Sequence, residues 1–141
     1  MKESFIALMG AIGATVGAFF GGWDLGLSTL VIAMALDYIT GLIVAGVFKK
    51  SDKSKSGALE SNAGFKGLCK KAVMLFIVLL GHRLDLTMGT TIVKDAVVFG
   101  FIANEAISII ENAGLMGIPV GDTIKNAIDV LGKRGDKNGR N

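Results

Sequence analysis

The stretch LGLSTLVIAMALDYITGLIVAGVF, residues 25–48, runs for 24 positions with a single charged residue, Asp37. A helix of about 20 apolar residues crosses the roughly 30 Å of bilayer hydrocarbon, so this stretch predicts a transmembrane helix. Just upstream, Gly22-Trp23-Asp24 supplies a glycine for reversal, an indole for the interfacial belt and an aspartate to cap the helix that follows. Residues 5–22 before that turn carry no charge, so the two segments read as a helical hairpin. Lys2 ahead of an apolar run is also how a secretory signal begins. No small-x-small site leads into a polar domain, however, and a second apolar segment follows at once, so the first segment is expected to be retained.

The whole chain fits that reading. Of its 141 residues 51% are hydrophobic and 19% charged, with a mean hydropathy of +0.57, an apolar surplus that must face lipid. The single cysteine, Cys69, allows no internal disulfide, and no His/Cys cluster suggests zinc. No nucleophile arrangement or phosphate-binding loop is present, so neither catalysis nor a cofactor is expected.

Residues 49–71 change character, with Lys49, Lys50, Lys53, Lys55, Lys66, Lys70 and Lys71 against Asp52 and Glu60. They predict a solvated loop, mobile around Ser51 to Gly57, that lies in the cytoplasm by the positive-inside rule. Anionic lipid headgroups are its sharper candidate partner, while the lack of interleaved aromatics argues against nucleic acid. A third span is expected over 72–86, short and crowded at its far end by His82, Arg83 and Asp85, and a fourth over 92–110.

Glycines and Pro119 then break the chain, and 121–131 predicts an amphipathic helix with Ile124, Ile128 and Leu131 on one face. The tail, 132–141, is polar and basic, with Lys133, Arg134, Lys137 and Arg140. The expectation is an all-α integral membrane protein in one domain, 1–131. It has about four transmembrane helices and both termini in the cytoplasm, with a three-span arrangement as the alternative.

Two sets of residues stand out within the spans. Gly13, Gly17 and Gly21 recur every fourth residue in the first segment, as Ala33, Gly41 and Ala45 do on the Asp37 face of the second. Small residues at this spacing let helices approach closely in lipid, either within the hairpin or between copies. Asp37 must also be compensated, because a carboxylate at the bilayer centre costs at least about 2.5 kcal/mol. Counting from the outer interface, Asp37, Asn104 and Glu105 fall at similar depth. Asn104 would donate to Asp37, and the two carboxyls would share a proton. Lys94, Glu105, Ser108 and Asn112 form a stripe that either lines water or seals a bundle interior.

Asp37-Tyr38-Ile39-Thr40-Gly41, Gly64-Phe65-Lys66-Gly67-Leu68 with Lys70-Lys71, and Asn104-Glu105 followed by Ser108-Ile109-Ile110-Glu111-Asn112 stand in order across residues 25–131. This pattern resembles the toxin-secretion and phage-lysis holins of Gram-positive bacteria and their phages. The resemblance implies a small protein of the bacterial cytoplasmic membrane that associates with itself and opens lesions. The cargo would be a cell-wall-degrading enzyme (an endolysin) or a large toxin. It also implies that Asp37, Gly41, Asn104 and Glu105 serve assembly or the pore. A small ion channel or transporter using Asp37 and Glu105, and a non-conducting adaptor using the basic loop, are the rival readings.

Overall fold

The computed structural model describes residues 1–138, apart from the side chains of Thr123, Ile128, Gly135, Asp136 and Asn138; Arg140 and the side chain of Ile128 therefore lie outside the description. The described residues are helical, without strands: α1 (Lys2–Phe19), α2 (Leu25–Ile43, closing in a π-helical turn at Val44–Phe48), α3 (Ser61–Met88), α4 (Ile92–Leu115) and α5 (Asp122–Asn138).

Helices α2, α3 and α4 form the bundle. The positions that α2 turns inward are Leu27, Leu30, Met34, Asp37, Gly41 and Val44, and α4 matches them with Lys94, Val98, Phe101, Glu105, Ser108 and Asn112. Alternating steps of three and four residues keep one seam facing a neighbour along a left-handed supercoil. α3 runs antiparallel to both, presenting Lys71, Val78 and Asp85 at seven-residue intervals. The middle layers are apolar, with Leu27, Leu30, Met34, Val78 and Val98 packed together under Phe20, Met74, Leu75, Val97, Phe101 and Ile102.

Around this core the usual distribution of polarity is reversed. Asp37, Asp85, Lys94, Glu105 and Asn112 are buried, while Ile32, Leu36, Ile39, Phe76, Leu80 and Phe99 are exposed. An exterior this apolar around a charged interior suits hydrocarbon as the solvent, and the chain is a membrane protein. By length and composition, α1 and the stretch Leu25–Phe48 are each sufficient to cross a bilayer.

Helix ends follow from local chemistry. Asp24 caps α2, its carboxylate accepting from the Leu27 N–H at 2.8 Å. α3 ends on Gly89, whose φ of +68° suits a residue without Cβ. Asp85, still within α3, then caps the next helix: its two oxygens accept from Val93 N at 3.0 Å and Lys94 N at 2.8 Å. Those amides are among the first-turn donors that a helix cannot satisfy itself.

Several element boundaries differ from the sequence reading. α3 begins at Ser61 rather than at residue 72, so the inner part of the basic segment is helical. Gly64 and Gly67 there pass under the Tyr38 ring, and lysine is a good helix former, so nothing breaks the helix before Ser61. At 28 residues it extends about 42 Å. The remaining loop holds turns of its own, with Ser51 N–H donating to Gly57 O at 2.9 Å and the Ser54 hydroxyl to Ala58 O at 2.7 Å. α5 is longer than expected, and Ile124 and Leu131 are exposed along it.

α1 does not lie along α2 as a closed hairpin. Its apolar side chains Phe5, Ile6, Leu8, Met9 and Ile12 are exposed, and only its C-terminal end is fastened. There the Trp23 indole lies over Gly17 and donates to Gly13 O at 2.9 Å.

Candidate functional site

The inner polar layer is built around one ammonium group. Lys71, on α3, reaches between α2 and α4 and donates to Asp37 Oδ2 at 2.7 Å and Glu105 Oε2 at 2.6 Å. Asn112 serves the other side of Asp37, its Nδ2 lying 3.3 Å from Oδ1 and donating to Thr40 Oγ1 at 2.9 Å. Thr40 Oγ1 in turn donates to the Asp37 carbonyl oxygen at 3.0 Å. Among the described residues no buried side-chain nitrogen or oxygen lacks a partner, as a low-dielectric interior demands.

This arrangement departs from the expected one in two respects. The two carboxyls meet at one level, but a cation that the sequence reading left in the loop, Lys71, stands between them. The amide that serves Asp37 is Asn112 rather than Asn104, which is exposed. Asn104 lies one position off the inward series Val98, Phe101, Glu105, Ser108, Asn112, whereas Asn112 lies on it.

A second polar layer closes the opposite end. The Lys94 ammonium donates to the Phe20 carbonyl and to Asp24 Oδ2 at 3.1 Å, tying the α1–α2 turn to α4. Lys94 and Glu105 thus belong to different layers, with the apolar core between them. Of the α4 stripe, Lys94, Glu105 and Asn112 are buried and Ser108 is half-buried.

Asp24 lies in the turn between the apolar helices, and its carboxyl is held below the ordinary value of 3.8, chiefly by the Leu27 N–H and then by Lys94. A lowered folded value means stability present above the unfolded value and lost as pH falls through the folded one. Thermal melts in detergent micelles should therefore show a destabilisation below about pH 4 that Asp24→Asn abolishes. Its size should stay under about 1 kcal/mol, because the half-exposed carboxylate is screened by solvent.

A cavity of about 530 Å³ leads from the folded loop to the inner layer, lined among others by Lys53, Glu111, Ser108, Asp37, Lys71 and Glu105. Across the bundle, α3 and α4 flank an open apolar groove containing Val73, Ile77, Gly100 and Phe101. Of the remaining sequence candidates, Ala45 is buried and Ala33 half-buried. Gly41 faces Asn112. Lys49, Lys50, Lys53, Lys55, Lys66 and Lys70 are exposed around the loop end, and only Lys71 turns inward. Gly13 has open space beside it, Gly17 is covered by Trp23, and Gly21 faces His82. Among the described residues no three His, Cys, Asp or Glu side chains come together to hold a metal ion.

A comparison with known families places this architecture. The profile of the bacteriophage holin family matches residues 14–133, which include α2, α3 and α4 entire. The chain belongs to the bacteriophage holin family. Within reach of this holin family member are an uncharacterised protein of Listeria innocua, 40% identical over 134 residues, or 94% of this chain and 89% of the relative. An uncharacterised protein of Listeria monocytogenes is 42% identical over 117 residues, covering 82% and 78%. A protein of Bacillus phage phi105 named probable holin is 27% identical over 112 residues, covering 79% and 77%. No solved structure matches the chain. The holin match encloses both polar layers and the cavity, so these features lie within the family's own region.

Proposed function

We propose that this protein is a non-enzymatic pore former of the bacterial cytoplasmic membrane, in which copies associate and open lesions that release an endolysin or a large toxin. Four crossings by α1 to α4, with both termini and the lysine-rich loop in the cytoplasm, are the topology that goes with it. The observation that carries the reading is a bundle of holin family membership whose interior is saturated with polar contacts and whose exterior, α1 above all, is left apolar and unpartnered. Association in lipid draws on close packing rather than on hydrophobicity, so a face such as Gly10 and Gly13, with open space where a Cβ would stand, suits a second copy. Weak packing of this kind nucleates only above a threshold density, which would time the opening.

The test is induction in bacterial cells carrying a folded cytoplasmic reporter enzyme. Release of the enzyme is the expected result; leakage of ions alone would favour a small channel, and no leakage an adaptor. Gly13→Leu separates assembly from folding. It should leave the thermal midpoint of the monomer in micelles unchanged or slightly raised, since a Cβ at Gly13 meets nothing within 4 Å. It should also reduce chemically cross-linked oligomers in membranes and delay release, and unaltered cross-linking would remove α1 from the interface.

A further inference from the structure

We infer that the cavity between the loop and Lys71 is a water-filled vestibule, entered from the side of the basic loop and stopped by a dry plug formed by Leu30, Met34, Val78 and Val98. This goes beyond lesion formation, because it concerns the single closed bundle.

Two independent observations support it. The first is the chemistry of the lining. A cavity needs only about 10–15 Å³ of probe-occupied volume to hold one water, provided two to four polar partners are near. Here about 530 Å³ is bordered by the side chains of Lys53, Ser108, Glu111, Asp37, Lys71 and Glu105. Apolar side chains such as Leu42, Leu59, Met74 and Ile107 supply much of the lining, but the charged and hydroxyl groups among them give water the polar partners that a dry cavity lacks.

The second is charge. Asp37 and Glu105 share the single Lys71 ammonium, so with both carboxyls ionised the cluster carries one negative charge in excess, at a depth where an uncompensated ion costs several kcal/mol. A hydrated approach from the loop side relieves that cost without any further protein partner. Lys53, on the same lining, places a positive charge along it.

Beyond Asp37 the character reverses. Leu30, Val78 and Val98 are 0–4% exposed and pack with Leu27 and Met34. From Met34 to Leu27 the apolar layer spans about 10 Å of helix, against roughly 30 Å of hydrocarbon. The dry barrier of the bundle is therefore about a third of the bilayer's thickness, and it separates the vestibule from the outer layer of Asp24, Lys94 and Asp85.

Thiol accessibility tests the inference in the full chain with Cys69 replaced by serine. Single cysteines at Ser54→Cys in the loop, Ser108→Cys in the vestibule and Val78→Cys in the plug are treated with a charged, membrane-impermeant methanethiosulfonate. The vesicles are prepared in both orientations and selected for retention of an entrapped dye. Ser108→Cys should react from the same side as Ser54→Cys, at least about tenfold faster than Val78→Cys, and not from the other side. A Ser108→Cys thiol as inert as Val78→Cys would make the cavity dry and overturn the inference. Reaction of Val78→Cys from either side would overturn the plug. Because closed vesicles are used, a chain that never lyses cells still gives a decisive labelling pattern, and the two readings fail separately.

Discussion

Replacing Lys71 by methionine should cost the isolated protein more stability than any other single substitution of the inner layer. The change keeps a long flexible side chain and removes the one cation held by both Asp37, at 2.7 Å, and Glu105, at 2.6 Å. Removing one partner of a buried ion pair typically costs about 3–5 kcal/mol, because the charge left behind stays desolvated. Here two carboxylates would be left facing each other. The expected result is a large drop in thermal midpoint in micelles, with loss of helical signal at temperatures where the parent is intact. Adding Asp37→Asn and Glu105→Gln to Lys71→Met should recover most of the loss, since amides in those places carry no charge. This non-additivity is the signature of a coupled cluster rather than of one bad substitution. A Lys71→Met protein with the parent's midpoint would show that the ammonium is an accessory of the fold and not its clasp.

That single residue shows where the sequence was legible and where it was not. Long apolar runs announce helices whose outer surface is lipid, and Asp24, next to a tight turn, announces a helix start, because both are local features. The level at which Asp37 and Glu105 meet could be counted along their helices for the same reason. Lys71 is different. Seen among neighbouring lysines, it has the composition of a surface loop, and its inward direction depends on α3 continuing back to Ser61. The signal was present as a seven-residue interval, Lys71, Val78, Asp85, matched by Val98, Glu105, Asn112 on α4, a period that places polar residues in the seam itself. Asp85 as a cap for α4 required knowing that the chain reverses at Gly89. The splayed position of α1 could not be read at all, because its small residues suit a partner helix from either the same chain or another.

Gly81→Leu should produce the second large loss, and its comparison with two other substitutions identifies the cause. Gly81 brings α3 against the α4 backbone: a Cβ added there would stand 3.4 Å from Lys94 Cα and 3.5 Å from Lys94 N. A single methyl group in Gly81→Ala would sit at ordinary van der Waals distance from its neighbours, so its cost should stay below about 1 kcal/mol. Leucine has no such room, and separating the helices would strain the Asp85 bonds to Val93 N and Lys94 N and then the Lys94 bond to Asp24. Overpacking alone costs about 1–3 kcal/mol, and the strained polar layer adds to it. Gly100→Leu on α4 is the matched control, since a Cβ added there meets nothing within 4 Å. It should be neutral or slightly stabilising, because leucine is favoured over glycine in a helix by up to about 1 kcal/mol. Thermal midpoints in micelles in the order Gly100→Leu, Gly81→Ala, Gly81→Leu, from highest to lowest, would locate the tight contact at the outer end of α3 and α4. Equal midpoints for the two leucine variants would mean that these helices are not held together there.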